Sequence, residues 1–212
     1  MPPGREPRRP SLFARAPLSL LIIASCLLVF IKYNVAAQDQ GRALLSLTFS
    51  PANGLLFPGI VTHMFAHGDM GHLLVNMIVL FFLGVIVEIR YGTPRYALLY
   101  FASGLLAALA QALFAPAGFL LGASGALAGV MGAFVRHYPK ERLYLYGILP
   151  MPAWLLLTGW MLFNIYGASY GGAANIAFIA HIAGFVAGIS LSLLIEPPGR
   201  TPRGRPWPGT RR

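Results

Sequence analysis

Two side chains in this 212-residue sequence have the type and setting for acyl-transfer chemistry. Ser124 is the one polar side chain in the run from Gly122 to Gly132, and Gly125, Gly129 and Gly132 line that run at helical spacing. His181 stands at the head of a second apolar stretch and shares a helix face with Gly184 and Gly188 (i, i+3, i+7). A serine hydroxyl is a poor nucleophile until a base takes its proton, and imidazole has a suitable pKa near neutrality. Attack on a carbonyl creates an oxyanion, which needs hydrogen-bond donors already in place. The backbone N–H of Ser124 at a helix start is one such donor. His72 and Asn76, four apart on another apolar segment, offer two side-chain donors.

The elements that carry these residues read as membrane spans. The chain is 57% hydrophobic and only 10% charged, with a mean hydropathy of +0.66, far from an average soluble domain. Apolar runs extend over Pro17–Tyr33, Gly71–Ile89, Arg95–Phe114, Ala123–Val135, Pro152–Tyr166 and Asn175–Ile195. The expected fold class is all-α: a polytopic six-helix membrane bundle over residues 17–196, with basic tails at 1–16 and 197–212. The fourth run is too short to cross a hydrocarbon core of about 30 Å. With its Arg136 end at one membrane face, Ser124 lies below the opposite surface, inside the bilayer. Small residues on the fourth and sixth spans let two backbones approach closely, which brings His181 within reach of Ser124.

The formal net charge of +10 is distributed like a topology signal, not a nucleic-acid footprint. Arg5, Arg8, Arg9 and Arg15 precede the first span, Arg90 and Arg95 bracket the second loop, and Arg136, Lys140 and Arg142 fill the fourth. Arg200, Arg203, Arg205, Arg211 and Arg212 end the chain, leaving only Lys32 and Arg42 for the other side. This positive-inside alternation puts both termini in the cytoplasm and also favours anionic headgroups. No basic stripe is interleaved with stacking aromatics, so nucleic acid is not an expected partner. Spans two, four and six then start on the outer side, which brings His72, Ser124 and His181 to one depth. The carboxylates there are Asp39 and Asp69, neither in a span, so the expected machinery is a Ser–His dyad without an acid.

The remaining features have structural readings. The long segment from Asn34 to Met70 stays apolar at Leu44, Leu45, Leu47, Phe49, Leu55, Leu56 and Phe57, and so lies in or against the membrane. It contains His63 and His67, whose spacing, with His72, admits a metal reading. The zinc-protease glutamate is missing, and hydrogen bonding is the reading adopted for His63 and His67. Cys26 is alone in an apolar helix, a packed small hydrophobe. Span one has the length of a signal-peptide core, with a small-residue site at Val35-Ala36-Ala37, but reads as a retained helix. Glu88 and Arg90 read as a local ion pair, and Pro150 and Pro152 bar a continuous helix into span five. The Gly167–Ala174 loop is rich in glycine and free to move.

Taken in order, these residues resemble the rhomboid family of intramembrane serine proteases. The resemblance runs from about Val61 to Gly188: His67, then His72-x-x-x-Asn76, Glu88-x-Arg90-x-Gly92, Gly122-x-Ser124-Gly125, and Ala180-His181-x-x-Gly184-x-x-x-Gly188. It implies Ser124 as nucleophile, His181 as general base, and His72 and Asn76 in the oxyanion hole. It also implies His67, Glu88, Arg90, Gly122, Gly125, Gly184 and Gly188 as structural motif residues. Span five and the fifth loop become gate and cap, and transmembrane segments of other proteins become substrates, with no metal and no organic cofactor. The expected location is a bacterial plasma membrane. Two departures stand out: Pro58-Gly59 where the family commonly has Trp-Arg, and Ala128 where an aromatic often follows the nucleophile by four.

Two other functions compete. A non-catalytic rhomboid-like protein that binds membrane clients usually lacks the serine or the histidine, and both are present here. A small transporter or metal carrier wants polar groups along a whole path, whereas spans three and five are nearly free of ionisable groups.

Overall fold

In a computed structural model, residues 11–51, 58–116, 118–145, 147–170 and 177–195 are described. Most of both expected tails and the stretch 171–176 of the fifth loop lie outside the described residues. Six helices of ten residues or more organise the rest: α1 (Pro17–Val35), α2 (Met70–Tyr91), α3 (Thr93–Phe114), α4 (Ser124–His137), α5 (Ala153–Tyr170) and α6 (Phe178–Leu194). Of these, α1, α2 and α3 are long and apolar enough to cross a membrane, and α6 is a shorter apolar helix. The chain is thus a mostly helical protein of membrane type.

Each helix begins where its sequence supplies a start. Pro17 fills the first turn of α1, where a missing N–H costs nothing. The next two N–H groups, of Leu18 and Ser19, donate to the Glu88 carboxylate at 2.9 and 2.7 Å. Thr93 Oγ1 donates to the same carboxylate at 2.8 Å. Glu88, fully buried, thereby ties the start of α1 to the α2–α3 turn, a larger role than a local pair with Arg90. The Arg90 guanidinium lies over the Tyr138 ring, 5.5 Å from its centroid. Asp69 caps α2 by accepting from His72 N–H at 2.8 Å. Gly92, at φ 74°, makes the reversal between α2 and α3 that a side chain would disfavour.

The short fourth helix is the centre of the bundle. Every residue of α4 from Gly125 to Phe134 is buried, so no face of it is left over. It packs most extensively on α6, with α3 closing the triangle. Glycine makes that approach possible. A Cβ on Gly184 would collide with the Gly125 carbonyl, one on Gly188 with the Gly129 peptide, and one on Gly132 with the Phe185 carbonyl. In contrast, α5 buries only Ala153, Leu157, Asn164 and Gly167 along one stripe.

The helical pattern has one interruption among the described residues, between α4 and α5. Residues Arg142–Leu145 (β1) and Leu149–Pro152 (β2) form an antiparallel hairpin, with Arg142 opposite Pro152 and Tyr144 opposite Pro150. A two-stranded ribbon has only edges, so prolines that cannot donate to an interior ladder are tolerated there. Gly147, at φ 74°, turns the hairpin. The prolines end the helical pattern as expected but leave a strand, not a loop.

Candidate active site

Ser124 is the first residue of α4, and the segment leading to it is held from the long first loop. Phe49 and Leu120 exchange both backbone hydrogen bonds, at 3.1 and 2.7 Å. Gly122 N–H donates to the His63 carbonyl at 2.9 Å. Ala123 N–H points at His67 Nε2, 3.5 Å away. His63 is fixed in turn by Nδ1–H donating to the Gly59 carbonyl at 3.0 Å. Asn34 Nδ2 donates to the His67 and Gly68 carbonyls at 3.0 and 3.3 Å. Burial pushes the pKa of both His63 and His67 down to about 4, against weaker backbone effects that raise it. A neutral His67 keeps the Nε2 lone pair that Ala123 N–H faces. Among the described residues, no group of three His, Cys, Asp or Glu side chains is placed to hold a metal ion.

Gly122 sits at φ 111°, a conformation side chains rarely adopt. An added Cβ would also lie 2.6 Å from both Cε1 and Nε2 of His72. This close approach puts the His72 ring against the start of α4. His67 stacks edge-on to it, ring centroids 5.1 Å apart.

Ser124 Oγ lies 2.8 Å from His181 Nε2. The two come from α4 and α6, the pair locked by the glycine contacts above. His181 Nδ1 lies 2.7 Å from Asn164 Oδ1 on α5. The Trp160 ring packs on the imidazole at 5.3 Å between centroids and 38° between planes. Neither Asn164 nor Trp160 was singled out in the sequence. The available signal was a lone Asn in an otherwise apolar span, with an aromatic one turn before it.

A cavity of about 990 Å³ opens in front of this pair. Its polar lining comprises Asp69, His72, Asn76, Gln111, Ser124, Asn164 and His181. Its apolar lining includes Val75, Val79 and Phe82 of α2, Leu156, Trp160 and Phe163 of α5, and Leu127 and Met131 of α4. Ser124, His181, His72 and Asn76 thus share one space. Asn76 Nδ2 donates to the His72 carbonyl at 2.8 Å, which leaves its second amide hydrogen uncommitted. The Ser124 N–H, in the first turn of α4, has no intrahelical acceptor. Gly122 backs the site, Gly125, Gly184 and Gly188 set the helix spacing, and His67 braces the approach to α4. Glu88 and Arg90 lie at the far end of α2 and do not reach the cavity.

The arrangement defines a helical membrane protein with a serine–imidazole pair facing a cavity between two helices. A family model for the rhomboid domain matches residues 57–197, and the chain belongs to the rhomboid family. It is 30% identical over 180 residues to rhomboid protease GlpG of Enterobacter sp. (strain 638), covering 83% of this chain and 62% of that protein. It is 28% identical over 210 residues to rhomboid-related protein 2 of Mus musculus, covering 90% of this chain and 69% of that one. The chain therefore spans about three fifths of the bacterial relative's length. Family and apolar helices together make it an integral membrane protein.

Proposed function

We propose that this protein is an intramembrane serine endopeptidase that hydrolyses peptide bonds in or near transmembrane segments of other membrane proteins. The observation that carries this is the 2.8 Å contact between Ser124 Oγ and His181 Nε2 in a cavity whose lining includes α2 and α5. As Oγ attacks the scissile carbonyl, its proton passes to Nε2. The oxyanion is met by Ser124 N–H, His72 and the free hydrogen of Asn76. The Nε2 proton then goes to the leaving amine, and water hydrolyses the acyl-enzyme by the same route. The client-binding alternative gives no reason for a serine and an imidazole to meet in a cavity. A relative named as a protease supports the catalytic reading.

The proposed setting is a six-span bundle over residues 17–196 in a bacterial plasma membrane, with both termini cytoplasmic. Peptide carbonyls in a packed transmembrane helix are already hydrogen-bonded, so the favoured substrate unwinds easily. Gly, Pro or small polar residues near its outer end provide that. The deciding experiment is covalent labelling of the purified protein by a fluorophosphonate probe, wild type against Ser124→Ala. Labelling confined to the wild type is expected, and equal labelling of both removes Ser124 as nucleophile. A reporter fused after Arg212 should read as cytoplasmic and one inserted between α5 and α6 as external; the reverse overturns the orientation.

A further inference from the structure

The imidazole of His181 is held from a helix that is neither its own nor that of Ser124. Both supports come from α5. Asn164 is 1% exposed and is the one polar side chain among the buried residues of that helix, beside Ala153, Leu157 and Gly167. Its Nδ2 donates to the Trp160 carbonyl one turn back, at 2.8 Å. That bond orients the amide, so Oδ1 is the atom facing His181 Nδ1 at 2.7 Å. An amide oxygen only accepts, so Nδ1 must carry the hydrogen. A neutral imidazole protonated at Nδ1 has its lone pair on Nε2, which is the atom 2.8 Å from Ser124 Oγ. Ala128, buried on α4 one turn beyond Ser124, gives the ring no aromatic neighbour from that side. Trp160 packs on the ring instead.

We propose that Asn164 and Trp160 are positioning residues for the base, Asn164 selecting the Nδ1–H tautomer and Trp160 bracing the ring. His181 is then competent only while α5 is seated against the α4–α6 pair. This inference rests on the Ser124–His181 reading. The seat of α5 is narrow, four buried residues with Gly167 against the Phe178 ring. An outward movement of α5 that widens the cavity removes both supports at once. Cleavage therefore waits for α5 to return, and an open enzyme does not attack what is merely passing. When Ser124 Oγ bonds to the carbonyl carbon and its proton moves to Nε2, the imidazolium still donates Nδ1–H to Asn164. The amide dipole thus stabilises the charge that develops.

The test is the pH profile of fluorophosphonate labelling, in which Oγ displaces fluoride from phosphorus and His181 takes the hydroxyl proton. Asn164→Leu keeps the size and removes the acceptor, and labelling is expected to fall by at least about tenfold, as with loss of a tautomer-fixing partner. Asn164→Asp keeps the acceptor and adds a charge. It should label, with the acid limb of its profile moved up by about one pH unit. Trp160→Phe should retain most of the rate that Trp160→Leu loses. The other titratable groups facing this cavity are His72 and Asp69. Both are the same in every variant, so a displaced limb reports His181. A purely structural role for Asn164 lowers the melting temperature and leaves the limb in place, and that result overturns the inference. If Asn164→Leu does not fold, the Asn164→Asp profile decides alone. A wild type that never labels overturns the protease reading and this inference together; unchanged rates and profiles in folded variants overturn this inference only.

Discussion

Gly188 of α6 lies so close to the Gly129 peptide of α4 that a single added methyl would overlap the carbonyl. The obstacle is backbone in the middle of a fully buried helix, so it cannot rotate away. Gly188→Ala should therefore push α6 from α4 and lengthen the Ser124–His181 contact. A cost of about 1–3 kcal/mol is expected from overpacking. Thermal melting in detergent and the fluorophosphonate labelling rate measure the two consequences. Gly159→Ala, with nothing within 4 Å of the added carbon, is the control and should be neutral or slightly stabilising. If Gly188→Ala melts and labels like the wild type, the helix spacing does not depend on the glycine.

Ser124→Ala and His181→Ala should each abolish substrate cleavage and leave a folded protein. The two side chains act on one proton transfer, so the double variant should be no worse than either single one. Multiplicative losses in single-turnover cleavage would mean that the residues act separately.

The cavity runs between α2 and α5, and α5 is the loosely seated wall. A disulfide between introduced cysteines on facing positions of these helices, in a Cys26→Ser background, should block cleavage of a membrane-embedded substrate. Labelling of Ser124 by a small soluble probe should survive and rise no higher than in the untethered protein. Full-rate cleavage by the tethered protein would rule out entry between α2 and α5.

The first loop carries an acid-sensitive element. Burial holds His63 at about 4, against an ordinary value of 6.5. Between these values the unfolded chain binds a proton that the folded chain excludes, so stability falls as pH is lowered through this window. Above about 6.5 the effect vanishes. The prediction is a melting temperature that drops from pH 6.5 towards 4, with a shallower drop in His63→Asn, whose amide donates to the Gly59 carbonyl without titrating. Parallel profiles for the two proteins would refute it.

Much of this was legible because polar residues are rare here. Ser124, His72, Asn76 and His181 stood out against apolar runs, and glycine spacing indicated which faces of α4 and α6 come together. Asn164 gives no such signal, because an amide carries no charge and span five is otherwise nearly free of ionisable groups. Helix α5 is also apolar almost all round, so its sequence does not tell which stripe faces the protein. Ala128 stands where the family often has an aromatic, yet a ring can be supported from either side, and Trp160 packs on His181 from another helix. Glu88 was paired with Arg90 because they are neighbours. Its contacts with Leu18 and Ser19 bridge about seventy residues, and no local pattern reports such a distance. The hairpin of β1 and β2 was hidden by prolines that would be disqualifying in any sheet with an interior strand.

The pairing of Phe49 with Leu120 has a consequence for how the chain is made. Some seventy residues separate these partners, and at synthesis rates of about 5–20 residues per second that is roughly 4–14 s of translation. Throughout that interval the first loop has left the ribosome with its apolar side chains and without the strand, the Gly122 amide or the Ala123 amide that later hold it. The nascent loop must be sheltered by the lipid surface or by the insertion machinery until the start of α4 arrives. Stripped of that shelter by detergent, ribosome-bound chains halted before Leu120 should expose the Phe49 region to protease, and chains halted after α4 has emerged should protect it. A stretch that braces the finished protein is, for several seconds of its life, the part of the chain most in need of a guardian.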